Sequence, residues 1–139
     1  MALGGLISAG YSGLSCPQLP GCRPGAANWQ ALDPWQVPGA GAGLPQYAGG
    51  VGAQWLHRLG ALAVLAAVLA LALVAWRAGR RKAATALAAL VALQTEVGIV
   101  LALGALPLGV ALAHNLLAAL LLAAVATLLP RTRALSPGL

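Results

Sequence analysis

Two histidines are the residues of this chain best suited to chemistry. His57 lies in VGAQWLHRLGALAVLAAVLALALVAW and His114 in LGVALAHNLLAALLLAAVATLL, both strongly apolar segments. An ionisable side chain inside a membrane span is costly, so a functional role is its default reading. Two such rings at one depth, on helices running the same way, could grip a planar metal cofactor from both sides.

The elements that must position them are membrane helices. The 139 residues are 60% hydrophobic and only 7% charged, against about 25% charged in soluble domains. Apolar runs of about 20 residues are long enough to cross a bilayer as helices. The formal net charge of +6 is not the footprint of a nucleic-acid binder, because the cations sit between and after the spans. Arg77, Arg80, Arg81 and Lys82 separate two spans, and Arg131 and Arg133 follow the last. Under the positive-inside rule both clusters belong in the cytoplasm, and no nucleic-acid partner is expected.

The expected fold is an all-α integral membrane protein, a four-helix up-and-down bundle whose first helix is truncated. Residues 1–10 form a partial helix, rising only about 15 Å, with none of the charged start of a signal peptide. Residues 11–50, rich in Gly and Pro, form a long extracytoplasmic loop, a kind of segment that is usually functional or disordered. Transmembrane helices are expected over 51–76, 83–106 and 108–129. Trp55 and Trp76 lie about 31 Å apart at helical rise, one at each interface. RAGRRK turns the chain inside, ALPLG turns it outside, and Pro130 with the RTR tail ends the last helix.

This arrangement puts His57 and His114 each about 9 Å below the outer end of its helix, facing one another across the bundle. Bundles build cofactor sites from facing side chains, and neutral imidazole is a good axial ligand for heme iron. The plainer alternative is an interhelical hydrogen bond for each ring. Zinc fits less well, since a tetrahedral site wants more ligands than this pair. Arg58 could pair with heme propionates or snorkel to the headgroups. Gln54, one turn before His57, could hydrogen-bond the ring or the cofactor edge, but an amide cannot be a general base. Cys16 and Cys22 enclose PQLPG. Outside the cell such a pair usually forms a disulfide, and a redox-active pair is the alternative. Glu96, the one acid in the expected spans, reads as a proton relay, a contact to the cofactor, or a neutral acid bonded to a neighbouring helix.

LGGLISAGYSGLSCPQLPGC, QWLHRLGAL and LQTEVGIVLALGALPLGVALAHNLLAALLL, in that order, resemble heme A synthase, the membrane enzyme that oxidises a methyl group of heme O to the formyl group of heme A for cytochrome oxidase. The family has two similar four-helix halves, each with a histidine on one helix and a second two helices later. Gln54 three residues before His57, and Asn115 after His114, resemble the C-terminal half. The N-terminal half commonly carries a catalytic Glu at the position of Gln54. The resemblance implies a bound heme b, His57 and His114 as its iron ligands, Arg58 and Gln54 as further cofactor-binding residues, and a Cys16–Cys22 disulfide.

The expected function is thus that of a heme-b-binding half of heme A synthase, an oxidoreductase inactive as an isolated half. Heme O would be met through a second half or a homo-oligomer, in the bacterial inner membrane among its lipids, with heme O synthase or cytochrome oxidase assembly factors as possible partners. The alternative is a small bis-histidine electron-transfer cytochrome without oxygenase activity.

Overall fold

The computed structural model describes Gly4, Ile7, Ser12, Gly13, Ser15, Cys16, residues 50–103 and residues 107–133, with side chains up to Leu128. Three helices dominate these residues: α1, Val51–Arg77; α2, Arg81–Leu103; and α3, Leu108–Arg133. Each is long and apolar enough to cross a membrane. The protein is therefore an integral membrane protein, and every regular element among the described residues is a helix. The expected fourth helix lies mostly outside the described residues: of residues 1–10 only Gly4 and Ile7 are described, and both are helical. Most of the expected 11–50 loop, including Cys22, also lies outside them.

The α1–α2 turn is tighter than the basic stretch RAGRRK. Gly79 sits at φ 77°, a left-handed backbone that costs glycine nothing. Its N–H donates to the Trp76 carbonyl at 3.0 Å, and Arg80 N–H donates to Ala75 at 2.9 Å. This is the paired-bond ending that glycine lends to helices. Helix α2 then starts at Arg81, whose guanidinium lies 5.1 Å from the centre of the Trp76 ring, a cation–π contact across the turn. At the other end Pro107 precedes α3, and its carbonyl accepts the Ala111 N–H at 3.0 Å. Helix α3 continues through Pro130 to Arg133, four residues past the expected end at Leu129. A proline so near a helix end removes only one backbone donor, the one that would reach Ala126.

These turns make the helices run up, down and up. Helix α2 packs on both α1 and α3, which scarcely touch each other. All three meet in an apolar cluster of Val68, Ala72, Leu87, Val91, Leu121 and Leu128, with Leu87 fully buried. The cluster occupies the basic half of the bundle. Buried alanines at 72, 75 and 84 let the helices approach closely; in lipid, such packing replaces the hydrophobic effect as the force holding helices together. The opposite half is built differently. There Gln94 and His114 link α2 to α3, and Gln54 and Arg58 tie α1 to residues Ser12, Gly13 and Cys16.

Candidate functional site

His57 and His114 each stand six residues into a helix, on the two helices that flank α2. Both are half-buried. Both stand at the end of the bundle opposite the basic turn. The apolar cluster closes the basic half, and α1 and α3 each pack mainly on α2. Among the described residues no three His, Cys, Asp or Glu side chains gather in one place.

The seat of His114 is made by α2. Gln94 Nε2 lies 3.1 Å from His114 Nε2. One turn along the same face, Gly98 opens the helix surface: a Cβ built there would lie 3.1 Å from His114 Cε1 and 3.6 Å from Nδ1. Only glycine leaves the ring this close to the backbone without a push. Gln94 Oε1 and His114 Nδ1 are both buried without a hydrogen-bond partner among the described residues. Neither Gln94 nor Gly98 is a candidate on sequence grounds. The available signal was their spacing of four, which puts both on one face of a helix.

Around His57 the partners are of another kind. Gln54 is buried, and its amide donates to the carbonyls of Ser12 at 2.9 Å and Gly13 at 2.7 Å. Arg58 donates through Nη2 to the Cys16 carbonyl at 2.6 Å. Gly50 lies against the Ser12 and Ser15 side chains, where a Cβ would have no room. The residues flanking His57 therefore hold the 12–16 backbone down on the start of α1. Cys16 is buried within this contact and is disulfide-bonded. Cys22 lies outside the described residues.

Gln54→Ala is expected to lower bundle stability by about 1–2 kcal/mol, because two carbonyls lose their donor in a buried place. Thermal unfolding in detergent measures it. A variant of unchanged stability would show that these bonds hold nothing.

Glu96 is exposed, roughly 200° around α2 from Gln94, among the outward-facing Leu93, Ile99 and Val100. It belongs neither to the His114 seat nor to the buried stripe of its helix. Thr95 is satisfied locally, its hydroxyl donating to the Val91 carbonyl at 2.8 Å.

Comparison with known proteins identifies the family. The sequence model of a family described as cytochrome oxidase assembly protein matches residues 1–126. A heme A synthase from Shewanella oneidensis is 34% identical over 136 residues, covering 91% of this chain. The chain spans 40% of that relative's length. No solved structure matches significantly. With a match running from the first residue through both histidine helices, the chain belongs to the heme A synthase family of cytochrome oxidase assembly proteins.

Proposed function

We propose that this chain is the heme-b-carrying half of a heme A synthase, with His57 and His114 as the two axial ligands. One observation carries the reading: two histidines stand six residues into two parallel helices that flank a third, at the same end of the bundle. The residues suit the group. The donors are two neutral-capable nitrogens, and His114 Nδ1 and Gln94 Oε1 are buried polar atoms still lacking partners among the described residues. Gly98 supplies the room that seats one ring.

Bound there, heme b would supply one-electron chemistry, its potential set by axial ligation and a low dielectric. The protein's own groups hold and enclose. His57 and His114 provide the lone pairs. Gln54 and Arg58 fix the 12–16 segment over the His57 end, and a Cys16–Cys22 disulfide closes the short PQLPG loop. Arg58, at that same end, remains the nearest guanidinium for a propionate. No acid is within one turn of His57, and Gln54 cannot take a proton. The oxidation of the heme O methyl group is therefore assigned to a complementary half or a second copy, with this half supporting it. The bacterial inner membrane is the proposed site, with the Cys loop outside and the basic ends in the cytoplasm.

Purification in detergent with heme supplied tests the reading. The expected product is a red protein with low-spin, bis-histidine spectra. It forms heme A from heme O only when a complementary half is present. A colourless protein at full heme supply would defeat the proposal, and heme binding without heme A formation in any pairing would leave an electron-transfer cytochrome instead.

A further inference from the structure

The Gln94–His114 pair places two claims on one nitrogen. Gln94 meets the ring through its amide nitrogen, 3.1 Å from His114 Nε2. With the amide nitrogen of Gln94 toward the ring, Gln94 donates and Nε2 accepts, the tautomer that carries its proton on Nδ1. The nitrogen bearing the lone pair is therefore the one Gln94 occupies. Nδ1 cannot replace it as a metal ligand in this seat, because it carries the proton and lies over α2 at Gly98.

We propose that Gln94 is a positioning residue for His114: its amide holds Nε2 in the heme-free protein and is displaced by iron on loading. The inference rests on His114 being a heme ligand. The exchange breaks the Gln94 N–H···Nε2 hydrogen bond and forms an iron–Nε2 coordinate bond from the same lone pair. The proton stays on Nδ1, so none is released or taken up. The ring keeps its place over Gly98, and the Gln94 side chain turns aside.

The latch is built to yield. Gln94 Oε1 and His114 Nδ1 stay buried without partners among the described residues, so the network is only half satisfied, the least stable kind of buried polar arrangement. Its use is twofold. It fixes the tautomer with the lone pair on Nε2 before iron arrives, and it keeps a polar ring inside the bundle while no cofactor holds it. Gln94 thus acts through His114 and is not itself a ligand.

Gln94→Leu keeps the side chain's size and removes the amide. In heme titrations of the full chain it should bind heme about three- to ten-fold more tightly, the equivalent of one ordinary hydrogen bond no longer competing. In a His114→Ala background the same change should have no effect. Independently of heme, nitrogen NMR of histidine-labelled, heme-free protein should show His114 as a single tautomer protonated on Nδ1, with mixed protonation in Gln94→Leu. Gln94→Asn, one methylene too short to reach, should behave as Gln94→Leu does and guards against a packing defect in that variant. Equal or weaker heme binding in both variants, or an unchanged tautomer, overturns the inference while leaving the ligand assignment intact. Failure of the wild-type chain to take up heme overturns both.

Discussion

Replacing either His57 or His114 with alanine is expected to lower heme affinity by more than about 100-fold. Removing only a supporting contact to a metal ligand already costs about 10- to 100-fold, and removing the ligand costs more. Each substitution should also end the low-spin spectrum, since one remaining imidazole leaves the iron with an open face. The bundle itself should survive. Both histidines are half-buried and neither belongs to the apolar cluster that joins the three helices. Circular dichroism and thermal unfolding of the heme-free variants should therefore stay near wild type. That separates ligand loss from misfolding. Unchanged heme content in both single variants would remove the axial-ligand assignment, and the proposed function with it.

The membrane helices were legible because their physics is one-dimensional. A bilayer asks only for length and apolarity, and residues 51–77 and 81–103 satisfy both without reference to any partner. Helix ends were less legible. The start at Arg81 follows from the left-handed Gly79 and its paired hydrogen bonds, a backbone event that hydropathy does not register. The passage of α3 through Pro130 shows the same thing, since a proline weakens a helix end without deciding where it falls.

The candidate site divides along similar lines. The shared depth of His57 and His114 can be counted from the helix starts. What surrounds each ring depends on which helix faces it, and spacing alone does not reveal that. Gln54 and Arg58 lie close to His57 in sequence, and proximity alone suggests a common ligand. In the structure their hydrogen bonds go to Ser12, Gly13 and Cys16, about 40 positions earlier. Two positions apart in sequence, Glu96 carries the charge that is costly in a membrane and Gln94 only an amide. Yet Gln94 faces the site and Glu96 faces outward.

Gly98 is where geometry sets the largest remaining effect. Gly98→Ala would put a methyl 3.1 Å from His114 Cε1, a contact the ring can relieve by moving a few tenths of an ångström. Gly98→Val would not be so easily absorbed. A helical valine is confined almost wholly to one χ1 rotamer, so its two further carbons cannot both swing clear of the imidazole. The ring must leave α2, losing Gln94 and the seat over Gly98 with it. Heme affinity should fall by about ten-fold or more for Val and much less for Ala, following the supporting-contact range. The low-spin signal should fade in the same order. Helix content should hold, because the Leu87 and Val91 packing lies about two to three turns away on α2. Should Gly98→Val retain wild-type spectra and affinity, the ring would not occupy this seat in the heme-bound protein, and α2 would have to be dropped from the architecture of the site.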